Sequence, residues 1–195
     1  RAVVPQGSEH CLSLAFSSWK RIPVVAAIVS CCEFLHLFFM NLHGPRSMLV
    51  ATTEKFFNGR IIGFLRASDT RMAGDFHAMQ RSVRSLPTSK ATIDSKEFRD
   101  CKTKQGRKER VTKLIESRSL WNHSIVLLRA SNPALELLRL TDTKVPCVDR
   151  LHHFVCRTDN HLVLSVSDLE KVEQEFKRRD PDMDECCHHL PPKKC

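Results

Sequence analysis

The sequence contains no tyrosine, only six glycines and no long run in which apolar and polar residues alternate. Turn-rich β-sheet proteins depend on such alternating runs and on glycine in their turns, so their scarcity argues against an all-β fold. The 195 residues are 42% hydrophobic and 27% charged. This is the balance of an ordinary globular chain, long enough to bury a core as one domain.

Cysteine is plentiful, but it lacks the spacing of a disulfide framework. The nine cysteines are an odd number, and two pairs are adjacent in the chain, Cys31 with Cys32 and Cys186 with Cys187. Adjacent cysteines are poorly placed to build a set of cross-links. We therefore expect free thiols in a reducing compartment and a protein that is not secreted.

No group of cysteines and histidines has the spacing of a strong metal or nucleophile site. His152 and Cys156 would share one helix face, but they supply two of the four ligands that structural zinc requires. The cluster Cys186–His189 consists of neighbours, which rarely chelate one ion, and whether it binds a metal stays open. His10 beside Cys11 lacks an identifiable third group to orient it. We expect no metal, no cofactor and no catalytic residue.

The strongest compositional signal is positive charge. The formal net charge is +9 and the isoelectric point is near 9.3, which favours an acidic partner such as nucleic acid. No aromatic residue lies between Lys102 and Lys113, where the positive charge is densest, so any binding should be independent of base sequence. An exposed, solvated loop is the alternative interpretation. The candidate DNA-binding residues are Lys102, Lys104, Arg107, Lys108, Arg110 and Lys113.

The longest apolar stretch runs from Ile22 to Met40. Its length would suit a membrane span, but Glu33 lies well inside it, and a central charge costs about 2.5–3.5 kcal/mol on insertion scales. A helix buried inside an α-helical domain is the preferred interpretation, with Pro23 in its first turn. We expect no membrane association. Gly44 and Pro45 are predicted to end this helix.

Two further helices are predicted before the candidate DNA-binding residues. One covers Arg46 to Phe57. The next begins near Asp69 or Thr70 and ends at Leu86 and Pro87. Its apolar residues step by four, three and four positions, which places them on one helix face; they are Met72, Phe76, Met79 and Val83.

Helices are also predicted around and after the candidate DNA-binding residues. A short one lies near Ser95–Cys101, followed by an exposed loop, and another runs from Arg107 to Ser117. Trp121, Ile125 and Leu128 continue on one face of the next. Asn132 would then cap a separate helix that starts at Pro133 and ends at Leu140. This last helix is predicted to bury Leu135, Leu137 and Leu138.

The C-terminal part is predicted to contain a short helix at Leu151–Cys156 and a long one capped by Asp159. From residue 180 the apolar period ends, so we divide the chain into a helical domain at 1–179 and a disordered tail at 180–195. Asp69 and Asp142 are interpreted as helix caps or ion-pair partners, and Asp75 as a solvated charge. The fold expected is an all-α bundle around the Ile22–Met40 helix.

Three motifs in a fixed order carry a family resemblance. His10 stands in the segment Glu9–Leu14, Thr70 and Arg71 follow in Leu65–His77, and Asp142 and Pro146 close a leucine-rich block that starts at Leu137. This series resembles the middle of a hAT-superfamily transposase. Glycine stands where the first motif of that family has cysteine, and methionine where the second has tryptophan.

The resemblance implies a helical insertion domain from such a transposase, a degenerate or partial copy. In that family an RNase H-like core holds three metal-binding carboxylates, which would lie outside Arg1 to Cys195. The fragment would then be catalytically inactive, nuclear, and bound to DNA without sequence preference or acting as a scaffold. A helical protein-interaction module with no nucleic-acid role, including one that self-associates, is the alternative.

Overall fold

The computed structural model describes residues 8–57, 63–66 and 73–141, and every regular element in these ranges is an α-helix. The all-α prediction is therefore confirmed for the described residues. The two helices predicted after residue 150, the tail and the domain boundary at 179 lie outside them. The helices are α1 (Ser8–Trp19), α2 (Pro23–Asn41), α3 (His43–Phe57), α4 (Gly74–Ile93), α5 (Lys96–Asp100), α6 (Gln105–Glu116) and α7 (Arg118–Thr141).

Helix α2 is the apolar centre of the fold, as predicted. It begins at Pro23, whose missing N–H does no harm in a first turn, and it packs mainly against α3 and α4. Val25, Ile28, Leu35 and Phe39 on this helix are fully buried. Continuous burial of such side chains is the main stabilising term of a small domain.

The same helix is long and apolar enough to cross a membrane. Its most apolar window is 56% buried by the rest of the described chain, as the core helix of a globular domain would be. Length and composition are therefore weak evidence for a membrane span.

The predicted stop at Gly44 and Pro45 is wrong. Helix α2 ends at Asn41, followed by Leu42 in an extended conformation, and α3 begins at His43. Pro45 thus lies in the first turn of α3, where no helical N–H bond is required of it. A proline one turn into a helix has the same sequence signature as a proline just beyond one.

Helix α4 differs from the prediction at both ends. It begins at Gly74, after Ala73 in a left-handed conformation (φ 55°, ψ 23°), and it passes through Pro87 to Ile93. Phe76 and Met79 are fully buried as predicted. The second half extends the buried face with hydroxyl side chains, which are Ser82, Ser85, Thr88, Ser89 and Thr92.

These hydroxyl groups bond within their own helix. Ser82 Oγ donates to the Ala78 carbonyl at 2.9 Å, and Thr92 Oγ1 donates to the Thr88 carbonyl at 2.8 Å. A buried polar group costs little once it has such a partner. These side chains are small and bonded within their own helix. Neighbouring helices can therefore pack closely against this face of α4, although its residues are polar.

Helix α7 is one continuous helix of 24 residues rather than two. Pro133 lies inside it, and the Asn132 side chain donates to Glu136 at 2.8 Å instead of capping a new helix. The predicted burial of Leu135, Leu137 and Leu138 is confirmed. The face of α7 continues unbroken past the proline, so packing outweighs the missing backbone hydrogen bond.

Helix α1 is attached to the start of α4 by an aromatic cluster and an ion pair. The rings of Phe16 and Phe76 lie 4.9 Å apart, and that of Trp19 lies 5.8 Å from Phe76. Asp75 is only 8% exposed and forms a salt bridge with Lys20. The interpretation of Asp75 as a solvated charge is therefore wrong.

Candidate functional site

Most of the predicted DNA-binding residues lie on a helix rather than in a loop. Lys102 and Lys104 precede α6, and the other four lie on it. The hydrophobic face of α6 packs inward through Val111, Leu114 and Ile115, as the helical spacing of these residues indicates. This orientation leaves four cationic side chains exposed, namely Lys102, Lys104, Arg107 and Lys113, which we call the basic segment.

Lys108 does not belong to that exposed set. It is buried, and its Nζ donates to the carbonyl oxygens of Arg99 at 2.8 Å, Cys101 at 3.2 Å and Phe98 at 3.4 Å. These carbonyl groups lie at the C-terminal end of α5, where helical N–H donors run out and a cation is favoured. The ammonium group is occupied in capping α5, and we withdraw Lys108 from the DNA-binding set.

Arg110 also serves the packing of the domain. It is half-buried, and its guanidinium carbon lies 4.5 Å from the ring centroid of Phe34 on α2. Such a cation–π contact stabilises the docking of α6 on α2. Arg110 therefore has a structural contact, and its predicted phosphate contact stays a prediction.

Most residues of the family-like motifs lie outside the part of the chain that the structure describes. His10 lies on α1, but its side chain is outside the described part of the chain. Thr70, Arg71, Asp142 and Pro146 also lie outside the described residues. The structural role that the resemblance gives them stays a prediction.

A second cationic surface lies beside the N-terminal half of α4. It is a cavity of about 420 Å³, which we call the arginine cavity. His77, Gln80, Arg81 and Arg84 follow one another at helical spacing, so they share one face of α4, and Arg66 joins them from the segment 63–66. Leu65 and Gly74 complete the lining, in which no described residue is acidic.

The start of α4 adds a backbone component to this cavity. Its N-cap residue, Ala73, makes no side-chain capping bond. The first N–H groups of any helix lack partners within it, and the helix dipole places partial positive charge there. Gly74, the first residue of α4, lines the cavity directly.

A buried histidine lies close to the same region. Burial lowers the pKa of His36 on α2, and the charge of Arg66 lowers it further. A hydrogen bond with the Phe64 backbone and the charge of Glu33 act in the opposite direction. The Nδ1 atom of His36 is buried and has no hydrogen-bond partner among the described residues. His36 is thus held neutral at ordinary pH.

Three cysteines whose side chains the structure describes are free thiols. Cys31 and Cys32 are buried, and Cys101 is half-buried. Burial raises the pKa of Cys32 to about 12, although a hydrogen bond with Ser82 lowers it slightly. A thiol kept protonated is a poor nucleophile and a poor metal ligand. Among the described residues, no group of three His, Cys, Asp or Glu side chains is placed to hold a metal ion.

No family model, curated protein or solved structure matches the chain. Function is therefore inferred from the motifs and from the two cationic surfaces. The basic segment is visible in the sequence. The arginine cavity is not predicted there, although the helical spacing of His77, Gln80, Arg81 and Arg84 is a signal for part of it.

Proposed function

We propose that this chain is a catalytically inactive helical module, related to the insertion domain of hAT-type transposases, that binds DNA without sequence preference in the nucleus. The observation that supports DNA binding is the basic segment, whose four exposed cations accompany a net charge of +9. The relation to transposases rests on the ordered motifs around His10, Thr70 and Asp142.

Phosphate contacts explain why such binding would ignore sequence. Lysine and arginine that neutralise backbone phosphates release counterions, which gives affinity that falls steeply with salt. The basic segment contains no aromatic side chain on which a base could stack. Catalytic inactivity follows from the resemblance, because metal-assisted cleavage requires several carboxylates that converge on one site.

The test is a duplex DNA titration at several salt concentrations. One variant combines Lys102→Gln, Lys104→Gln, Arg107→Gln and Lys113→Gln. Its control removes the same charge at exposed positions elsewhere, through Arg46→Gln, Lys90→Gln, Arg118→Gln and Arg139→Gln. The salt slope should fall by about 0.9 for each DNA phosphate that the first variant no longer neutralises. An equal weakening in both variants would reject the basic segment as the binding surface.

Catalytic inactivity needs its own assay. The purified chain with Mg²⁺ or Mn²⁺ should leave supercoiled plasmid intact. Nicking that EDTA abolishes would contradict the proposal, because it would require a metal site formed by this chain.

A protein-interaction module is the second candidate, and a groove between α4 and α7 favours it. The groove has a volume of about 350 Å³ and includes the half-buried side chains of Val83, Ile125 and Leu128. Apolar side chains on such a surface are typical of contact with another protein. Absence of DNA binding at low salt, together with concentration-dependent self-association in sedimentation, would favour this function.

A further inference from the structure

We propose that the arginine cavity is a binding site for a phosphate group, carried either by inorganic phosphate or by a nucleic-acid backbone. This site is separate from the basic segment, since its residues lie on α4 and in the segment 63–66. It would remain a phosphate site even if the chain failed to bind DNA.

The charges of the cavity carry the inference. Arg66, Arg81 and Arg84 line one concave surface, and none of them forms a salt bridge with another described residue. Arginine presents a planar set of donors that matches phosphate oxygens in pairs. Arg81 and Arg84 lie on the same side of one helix, where like charges repel each other. A bound anion would remove that repulsion.

The neutral groups of the cavity are suited to the same ligand. The Gln80 amide can donate to an oxygen, and Gly74 offers the N-terminal end of α4 without a side chain to obstruct its approach. Asp75 follows directly, but its carboxylate is paired with Lys20 towards α1. Its negative charge is thus neutralised by another group.

The size of the cavity defines the ligand class further. A volume of about 420 Å³ exceeds that of a single phosphate ion and leaves room for an attached group. The site therefore suits a phosphate ester as well as the free ion. The shared chemistry is a tetrahedral oxyanion held by guanidinium groups.

The test uses the full chain and titrates inorganic phosphate at constant ionic strength, with NMR shifts of the Gly74 amide and the Gln80 side chain as the readout. The double variant Arg81→Gln/Arg84→Gln is compared with Arg118→Gln/Arg139→Gln, which removes equal charge from exposed positions on α7. Removal of two charge-assisted hydrogen-bonding groups should weaken phosphate binding by about tenfold or more, and the control should stay within about twofold of the original chain.

A parallel titration with short duplex DNA identifies the source of the phosphate. Weaker DNA binding in the Arg81→Gln/Arg84→Gln variant alone would indicate the nucleic-acid backbone, and unchanged DNA binding, or none in any variant, would indicate free phosphate. If that variant does not fold, the shift map of the unmodified chain decides. The inference is overturned if phosphate causes no saturable shift at Gly74 or Gln80, or if both variants bind phosphate equally.

Discussion

Helices α2 and α4 pack against each other in the centre of the domain, yet they reach burial by opposite means. α2 is apolar along most of its length and buries aliphatic and aromatic side chains. α4 buries Phe76 and Met79 in its first half, and in its second half a series of serines and threonines. The pair shows that burial depends on whether polar groups are satisfied as well as on hydrophobicity.

The polar groups of the two helices are treated differently. The hydroxyls of Ser82, Ser89 and Thr92 bond to carbonyl groups one turn earlier in α4. His36 and Cys32 on α2 are held in their neutral forms by burial. The hydroxyl groups of α4 are satisfied within their own helix, whereas burial keeps these two groups of α2 neutral.

The largest expected effect comes from truncating a buried ring on either helix. Phe39→Ala on α2 and Phe76→Ala on α4 should each lower the free energy of unfolding by about 3–5 kcal/mol, because both rings are fully buried and leave cavities. Urea denaturation measures this. Leu37→Ala, at a 40% exposed position of α2, should cost less than about 1 kcal/mol. A Phe76→Ala cost as small as that of Leu37→Ala would show that α4 is not a core helix.

A smaller effect is expected from enlarging the small-residue face of α4. Ser89 is 1% exposed, so Ser89→Leu should overpack the contact and cost about 1–3 kcal/mol in the same assay. Ser89→Ala should be nearly neutral, because it removes the hydroxyl and leaves the carbonyl of Ser85 in its helix. If both variants cost the same, the hydroxyl rather than the available space determines the contact.

The lowered pKa of His36 on α2 should appear in the pH dependence of stability. The pKa of His36 is lowered by folding, so the unfolded chain binds this proton more readily. His36 therefore costs no stability above its unfolded pKa near 6.5, and stability is lost as pH falls below that value towards the folded pKa. One such proton contributes at most about 1.4 kcal/mol per pH unit.

Urea denaturation between pH 7.5 and pH 5 measures this slope. His36→Gln, which retains a hydrogen-bonding side chain without a titrating group, should have a shallower slope than the original chain. His43→Gln removes an exposed histidine and should leave the slope unchanged. A slope unaffected by His36→Gln would refute the assignment.

The smallest effect concerns thiol reactivity, which should not alter stability. Cys32, with a pKa raised to about 12, should resist iodoacetamide at pH 8 for as long as the chain stays folded. Cys101 is half-buried and should react faster. Mass spectrometry of peptides after timed labelling gives both rates. Equal rates at Cys32 and Cys101 would mean that α2 opens readily.

The sequence predicts well the elements whose apolar pattern is strong. The helices α2 and α6 belong to this class, and the short helix predicted near Ser95–Cys101 is found as α5. The N-cap of α5 is Ser95, whose Oγ accepts from Phe98 N at 3.2 Å. The errors cluster at proline. Pro45, Pro87 and Pro133 each predict a helix boundary, yet all three lie within helices. Pro45 lies in a first turn, where no helical hydrogen bond is lost, whereas at Pro87 and Pro133 packing compensates for the missing one.

The candidate sites are harder to predict than the helices. The basic segment is contiguous in sequence, so it can be found, but the burial of Lys108 depends on how α5 ends near it. The arginine cavity brings together Arg66, Arg81 and Arg84, which are separated in the sequence. Such contacts are set by tertiary packing, which helical periodicity alone does not specify.

The two interior prolines on α4 and α7 have one further consequence. Proline lacks an N–H, so Pro87 leaves the carbonyl of Val83 without its usual helical donor, and Pro133 does the same for Arg129. Val83 and Arg129 line the same groove between the two helices. Each of the two helices therefore lacks one backbone hydrogen bond beside this groove. We expect the final turns of α4 and α7 to exchange their amide protons sooner than the turns that precede the prolines.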